Sequence, residues 1–461
     1  MVFSSLPFLF FYLPVVLLIY KLSPLKLRNL FLLIASLFFY GWGEPIYILI
    51  MFLSIAVDYT HGMLVERWRE DDRKARAVVA SSVFFNLLIL VFFKYWDFIA
   101  GSINAVTGLS LPILGIPLPI GISFYTFQTM SYTIDVYRKD APVQKNVITF
   151  GAFVTLFPQL IAGPIIQYKS VAEQLENRRE DLEKFVGGIR RFCVGAAKKV
   201  LLANAIGQLW DLSLASSDLT VVGAWLGLVA YAFQIYFDFS GYSDMAVGLG
   251  RMFGFDFIEN FNYPYISRSV VEFWKRWHIS LTNWFREYVY FPLGGNRVSK
   301  GKWIRNILIV WMLTGIWHGA GWNFLLWGLY YGVLMLAERL FLGRWLEKLP
   351  VALRHIYTMM IVLIGWALFA VESMGRLGAY LSACFGGAAL LDAATCYHLI
   401  SYLPMLVILT IAATPVGIKL WERLSERMRD ILTPIMILAT LVLCTASLVD
   451  ASYNPFLYFR F

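Results

Sequence analysis

Long apolar runs recur along this sequence from end to end, and they limit the possible folds more than any other feature. An α-helix needs roughly 20 apolar residues to cross the ~30 Å hydrocarbon core of a bilayer. Runs near that length lie at residues 7–20, 29–42, 46–62, 77–94, 119–134, 148–163, 188–210, 220–238, 304–317, 322–341, 354–371, 400–420 and 432–449. Several are too short or too broken to cross fully. We therefore predict an all-α, polytopic membrane protein, with residues 1–461 as a single integral-membrane domain.

The charged residues support the same interpretation. Only 15% of the residues are charged, against about 25% in an ordinary soluble domain, and the net charge is +9. The Lys and Arg residues cluster in short segments between apolar runs, as the positive-inside bias requires. We therefore expect membrane lipid, and no nucleic acid, as the partner of these charges. Basic residues at 21–28 and 67–76, with none at 41–45, predict an extracytoplasmic N-terminus.

Three segments interrupt the apolar pattern. The prolines from Pro112 to Pro119 exclude a regular helix, because each removes a backbone donor and clashes with the preceding turn. The segment from Phe157 to Pro164 includes Gln159 and predicts a re-entrant segment that lines a cavity. Residues 260–306 are rich in Trp, Tyr and Arg without a full-length apolar run, which predicts short in-plane helices at the cytoplasmic face.

His278 is the first of two histidines in dense polar and aromatic surroundings, within the segment FWKRWHIS. Read as one helix, this segment places Lys275, His278 and Thr282 on one side and an apolar, Trp-rich side opposite. The basic groups Lys275, Arg276 and Arg286 suit either lipid phosphate or the phosphates of a donor. The pattern leaves both interpretations open.

His318 is the second, at the end of a strongly apolar segment in the motif WHGAGWN. Its glycines permit close approach of a backbone or ligand, and Trp317 and Asn323 are candidates for lining the site or orienting the histidine. Ionisable groups at membrane depth are costly and are by default functional candidates. The alternative is a structural histidine bonded to a nearby carbonyl. We expect no metal, because the histidines lack i, i+4 spacing and the four cysteines are scattered.

A third polar group lies at the end of the run at 220–238, in the motif YFDFSGYSD. Asp238, Ser240 and Asp244 are too polar for lipid, so they are expected to line a cavity or to contact one another. Either carboxylate is suited to orient a histidine or an arginine. A polar helix cap explains the same residues equally well.

Acyl transfer from a thioester needs little beyond these groups. A neutral imidazole can take the proton from an attacking hydroxyl, because an unperturbed histidine titrates near neutral pH. A buried path would exclude the water that hydrolyses the donor.

Five motifs make the chain resemble the membrane-bound O-acyltransferases, and among them the bacterial alginate O-acetylation membrane proteins and the related D-alanyl transfer proteins of teichoic acid. They are FPQLIAGPI at 157–165, YFDFSGYSDMA at 236–246, FWKRWHISLTNWFREYVYFPLGGN at 273–296, WHGAGWNFLLWG at 317–328 and NPFLYFRF at 454–461. The resemblance runs through nearly the whole chain.

The resemblance implies about eleven spanning helices, with re-entrant and in-plane segments around a central funnel or tunnel. It implies that His318 is the catalytic histidine and His278 the second polar residue of the pair. No bound cofactor is implied. Acetyl-CoA or a similar acyl thioester would be the co-substrate and would approach from the cytoplasm.

The resemblance also implies a place and partners for the reaction. The chain would lie in the bacterial plasma (inner) membrane and work with an extracytoplasmic, serine-dependent acetyltransferase of the SGNH type and with polysaccharide-export machinery. The motifs do not distinguish one acceptor sugar from another. Two other functions remain: a transporter or flippase, which predicts inverted repeats that we do not find, and an export scaffold without acyl-transfer chemistry.

Overall fold

The computed structural model describes residues 1–216, 218–450 and 457, and every regular element in those residues is helical. In chain order the helices are α1 (Phe8–Leu22), α2 (Arg28–Gly41), α3 (Ile48–Arg67), α4 (Asp72–Thr107), α5 (Ile122–Arg138), α6 (Val147–Thr155), α7 (Phe157–Leu160), α8 (Tyr168–Asn177), α9 (Leu182–Ala197), α10 (Asn204–Ala215), α11 (Val221–Met252), α12 (Val270–Arg276), α13 (Ile279–Phe285), α14 (Lys300–His318), α15 (Trp322–Leu346), α16 (Val351–Ala370), α17 (Met374–Cys384), α18 (Ala393–Ala412), α19 (Val416–Glu422) and α20 (Glu426–Asp450). Several of them contain a π-helical turn. The all-α prediction is confirmed.

Seven of the described helices are long and apolar enough to cross a membrane: α3, α4, α11, α15, α16, α18 and α20. Helix α1 is apolar but shorter. In α18 and α20 large apolar side chains such as Leu403 and Val442 are exposed, which suits surroundings of lipid. These features confirm a polytopic membrane protein. The number of about eleven spans stays a prediction, and the terminal motif at 454–461 lies outside the described residues except for Leu457.

The internal contacts divide the chain into two compact units, one of residues 1–192 and 242–258 and the other of residues 193–241 and 259–461. In the first unit, helices α3, α4 and α5 meet around the buried carboxylate of Asp58. Ser82 Oγ and Asn86 Nδ2 donate to it at 2.6 and 2.8 Å, and Thr133 Oγ1 donates at 3.1 Å. Buried polar groups need such partners, so this cluster fixes the relative placement of the three helices.

The two proline-rich interruptions predicted from the sequence both lie in the first unit. Residues 108–119 are not helical, and the carboxylate of Asp97 accepts hydrogen bonds from the backbone N–H groups of Leu114 and Gly115. Residues 156–166 are all buried and form only the single helical turn of α7. Such irregular backbone within an apolar protein is tolerated where other protein groups cover it.

In the second unit, α14 and α15 form a tight hairpin. They cross at Gly315 and Gly328: a Cβ on Gly315 would collide with the carbonyl oxygen of Phe324, and one on Gly328 with the carbonyl oxygen of Trp311. Only glycine permits this close approach. The crossing fixes the last turn of α14, which ends at His318.

The course of helix α11 excludes the interpretation of a polar helix cap. The polar residues after position 238 do not cap a helix, because α11 continues without interruption from Val221 to Met252. Asp238, Ser240 and Asp244 are therefore interior positions of a long helix, and all three are buried. Polar residues within a spanning helix need protein partners, and the carboxylates have them.

Candidate active site

His278 lies at a sharp junction between two short helices. Helix α12 ends at Arg276, α13 begins at Ile279, and His278 adopts a left-handed backbone conformation with φ of 45°. The segment is therefore two short helices, and the conditional interpretation as one helix with Lys275, His278 and Thr282 on one side does not hold. A non-glycine residue in this region is strained and persists only where the surroundings hold it, and such strain clusters at functional sites.

Asn260 holds this junction in place. Its side-chain oxygen Oδ1 accepts three hydrogen bonds, from His278 Nδ1 at 3.1 Å, from the Ser280 backbone N–H at 3.1 Å and from Ser280 Oγ at 2.9 Å. Its backbone carbonyl accepts a fourth bond from the Ile279 N–H at 3.0 Å. Asn260 thus stabilises the left-handed turn through three consecutive residues, His278, Ile279 and Ser280.

These bonds also fix the protonation of His278. The Ser280 backbone N–H can only donate, so the Asn260 atom facing it must be the oxygen and not the amide nitrogen. The His278 Nδ1 facing the same oxygen must therefore carry a hydrogen. Burial lowers the pKa of His278 to about 3, so the ring is neutral near pH 7 and its lone pair lies on Nε2.

Helix α12, which leads into this junction, is fixed at its other end by Glu338 of α15. The Glu338 carboxylate accepts hydrogen bonds from the backbone N–H groups of Val270 and Val271 at 2.8 and 2.9 Å. Ser269 Oγ accepts another from the Glu272 N–H at 3.0 Å. These contacts satisfy the first amides of α12 and place a negative charge at its positive end.

His318 is the last residue of α14 and is 2% exposed. The next residue, Gly319, is in contact with the ring of Phe324, and a Cβ there would collide with that ring. At the start of α15, Asn323 Nδ2 donates to the carbonyl oxygens of Leu368 and Phe369 at 3.4 and 3.3 Å. His318 is therefore held between the crossing of α14 with α15 and the start of α15.

The two histidines are neighbours within the second unit, with ring centres 6.4 Å apart. The ring of Trp317 lies 6.0 Å from His278 and 5.0 Å from His318, both edge to face. Phe239 lies 4.8 Å from His278, and Trp327 and Phe369 lie 5.0 and 5.2 Å from His318. Aromatic rings thus surround a pair of imidazoles that share one small volume.

Asp238 pairs with a lysine, which the sequence did not suggest. Its Oδ1 lies 2.6 Å from Lys199 Nζ, and both side chains are 2% exposed. Lys199 also donates to Asn204 Oδ1 at 3.1 Å, and Asp238 Oδ2 accepts from the backbone N–H of Leu457 at 2.9 Å. A buried ion pair with further hydrogen bonds compensates the desolvation of both charges. The Asp238 carboxylate thus connects α11 to the segment before α10 and to residue 457.

The remaining candidates divide between the units. Ser240 is buried in the second unit, while Asp244 and Gln159 belong to the first. Asp244 Oδ1 accepts from Arg191 Nε at 2.8 Å, which is the carboxylate–arginine pairing that the sequence allowed. Gln159 Nε2 donates to the carbonyl oxygen of Phe153 at 2.8 Å within the buried segment at 156–166. The functional roles of these residues stay predictions.

The three basic candidates differ in how they are engaged. Lys275 and Arg286 are exposed, and Arg286 contacts Glu287 only at 3.8 Å. Arg276 donates to Glu272 Oε1 at 3.0 Å and to the carbonyl oxygen of Asn262 at 3.0 Å. Arg276 therefore helps to fold the junction, whereas the other two present their charge to the surroundings.

Sequence reasoning missed Asn260, Lys199 and Glu338. Lys199 had a detectable signal, since a lysine within the apolar run at 188–210 requires a buried partner. Asn260 had none, because it lies 18 residues from His278 in a segment without periodic pattern. Glu338 is likewise 68 residues from Val270, the amide that it caps.

Comparison with known proteins identifies the family of this chain. The family model described as MBOAT, membrane-bound O-acyltransferase family, matches residues 37–371. A protein named probable alginate O-acetylase AlgI from Azotobacter vinelandii is 44% identical over 81% of this chain and 76% of its own length. One of the same name from Pseudomonas putida is 40% identical over the whole of both chains. A peptidoglycan O-acetyltransferase from Helicobacter pylori is 32% identical over 81% of this chain and 78% of its own. With most of its length matched, this chain belongs to the membrane-bound O-acyltransferase family.

Proposed function

We propose that this chain transfers an acetyl group from a cytoplasmic thioester, such as acetyl-CoA, for O-acetylation of an exported polysaccharide. The observation that carries the proposal is the buried pair of His278 and His318, 6.4 Å apart inside aromatic walls. Relatives named alginate O-acetylase and peptidoglycan O-acetyltransferase support acetyl as the group and a glycan as the acceptor. Alginate is the glycan that we propose first.

In this mechanism His318 is the general base. It takes the proton from the attacking hydroxyl as the C–O bond forms, and it returns that proton to the thiolate as the C–S bond breaks. His278 stays neutral and presents its Nε2 lone pair, which stabilises the positive charge that develops on His318. The surrounding rings exclude water, so the thioester is not hydrolysed.

The donor, the partner and the orientation complete the proposal. Lys275 and Arg286 are exposed cations on the segment that carries His278, and we assign them to the phosphates of the donor. An extracytoplasmic serine-dependent acetyltransferase of the SGNH type would receive the acetyl group and place it on the glycan together with the export machinery. In this arrangement the N-terminus is extracytoplasmic and the membrane is the bacterial inner membrane.

The test is a His318→Ala exchange in the full chain, with acetate on the exported polysaccharide measured by mass spectrometry at matched protein abundance. Loss of the general base should reduce acetylation by ~10²–10⁴-fold. His398→Ala is the matched control, because His398 is a half-buried histidine of α18 outside the pair. Acetylation that persists in the His318 variant contradicts the proposal and favours an export scaffold.

A further inference from the structure

A second feature of the second unit has no part in this chemistry. A cleft of about 390 Å³ opens between α11, the loop before α12, the first half of α16 and the end of α18. Neither histidine of the pair lines it. A volume of this size is in the range of sites that hold a drug-sized molecule.

Beyond His355 the lining along α16 is apolar. Val351, His355, Met359 and Leu363 recur every four residues and face the cleft together. Helix α16 is a candidate span that begins at Val351, so His355 lies near the membrane interface and Leu363 lies deeper. Arg268 lines the same end as His355, because His355 Nδ1 donates to the carbonyl oxygen of the adjacent Ser267 at 3.0 Å.

Arg268 provides a charge at the entrance. It is exposed, and within the described residues no carboxylate lies within ion-pair distance of its guanidinium. The nearby carboxylate of Glu272 accepts instead from the Arg268 backbone N–H at 2.9 Å and pairs with Arg276 at 3.0 Å. Because His355 Nδ1 donates to Ser267, His355 Nε2 can donate to an anion only in the imidazolium form, in which both ring nitrogens carry a hydrogen. An anion that enters the cleft would therefore meet both side chains.

We propose that this cleft binds an anionic phospholipid, with its phosphate at Arg268 and His355 and one acyl chain along Met359 and Leu363. The Arg268 cation at the interface matches the anionic headgroup of such a lipid, and the apolar channel matches its acyl chain. The guanidinium offers paired donors to phosphate oxygens, and the channel replaces lipid contacts with protein contacts.

The surrounding charges indicate which membrane leaflet the cleft faces. Basic residues precede α16 at Arg344 and Lys348, and they follow α18 at Lys419 and Arg423. Because Lys and Arg concentrate on the cytoplasmic side, both helix ends at the cleft belong to that side. The lipid therefore comes from the cytoplasmic leaflet.

The experiment is a titration of the purified full chain in detergent with dioleoyl phosphatidylglycerol, read by native mass spectrometry and by the shift in melting temperature. Dioleoyl phosphatidylcholine, whose headgroup has no net charge, and glycerol phosphate, which has no acyl chains, serve as comparison ligands. We expect phosphatidylglycerol to bind and stabilise most, and glycerol phosphate to do neither. Arg268→Gln should weaken phosphatidylglycerol binding about tenfold, the loss of one charge-assisted hydrogen bond.

Two control variants make the outcome decisive. Arg344→Gln removes an exposed arginine at the same end of α16 that does not line the cleft, and it should leave binding unchanged. Thr410→Phe fills the apolar channel from the exposed helix α18 and should abolish binding of that lipid without unfolding the core. Equal losses for Arg268→Gln and Arg344→Gln, or stabilisation by glycerol phosphate alone, would overturn the proposal.

Discussion

Replacing Asn260 by alanine tests whether its side chain sets the protonation of His278. The exchange removes the oxygen that accepts hydrogen bonds from His278 Nδ1, the Ser280 N–H and Ser280 Oγ. A buried donor left without an acceptor costs about 1–3 kcal/mol. The Ser280 hydroxyl lies 3.4 Å from His278 Nδ1 and can turn to donate to it, which would replace one of the three lost bonds. We expect a loss of about 2–4 kcal/mol in the free energy of unfolding.

The same rearrangement should change the chemistry. If Ser280 donates to Nδ1, the ring hydrogen moves to Nε2, and His278 no longer presents a lone pair toward the reaction. We expect acetyl transfer to fall by roughly 10–100-fold, because a stabilising dipole then opposes the charge on His318. Solid-state nitrogen NMR of labelled histidine would report the change of tautomer directly.

Asn260→Asp separates the two effects. A carboxylate keeps an acceptor for all three donors, so the tautomer with hydrogen on Nδ1 should be retained, while burial of the new charge at this 1% exposed position lowers the free energy of unfolding. Its negative charge favours the imidazolium form and raises the pKa of His278 from about 3, so the acidic limb of the activity profile should move to higher pH. Asn262→Ala, an exposed neighbour, is the control. An unchanged tautomer in Asn260→Ala and an unchanged pH profile in Asn260→Asp would refute the reasoning.

Two further predictions concern buried charge. Lys199→Met leaves the Asp238 carboxylate buried beside an apolar group, so the free energy of unfolding, measured by chemical unfolding in detergent, should fall by about 3–5 kcal/mol. Adding Asp238→Asn should recover most of this loss. A double variant no more stable than the single one would contradict the pairing. Because the pKa of His278 falls from 6.5 to about 3 on folding, the unfolded chain binds the proton first as the pH drops. The free energy of unfolding should therefore be independent of pH above 6.5 and should fall by about 1.4 kcal/mol per pH unit below it. If the free energy of unfolding falls equally steeply with pH in the natural chain and in His278→Gln, protonation of His278 is excluded as the cause.

The sequence predicted the parts of the fold that depend on local pattern. Apolar runs near 20 residues located the helices, and the prolines at 112–119 located a break, because both effects act within a few residues of the chain. The apolar segment with its glycines also placed His318 correctly at a helix end. The limits of α11 were wrong because polarity was taken as a stop signal, while Asp238 is instead matched by a lysine in another segment.

His278 shows what a local pattern cannot contain. A 3.6-residue periodicity continues through FWKRWHIS, and nothing in those letters indicates a left-handed residue. The break is caused by Asn260, whose oxygen and carbonyl are placed by the loop that follows α11. The stabilisation from three hydrogen bonds to one oxygen exceeds the backbone strain of a single left-handed residue, which is of order 1–3 kcal/mol. The helix therefore breaks for a tertiary reason.

The pair of histidines depends on two supports of different kinds. His278 is held by directional hydrogen bonds, which set the orientation and tautomer of its ring as well as its position. His318 is held by the glycine crossing of α14 and α15, which sets position through close packing of backbones. In the mechanism proposed above, directional hydrogen bonds would suit the histidine that stays neutral, and packing would suit the histidine that takes up the proton.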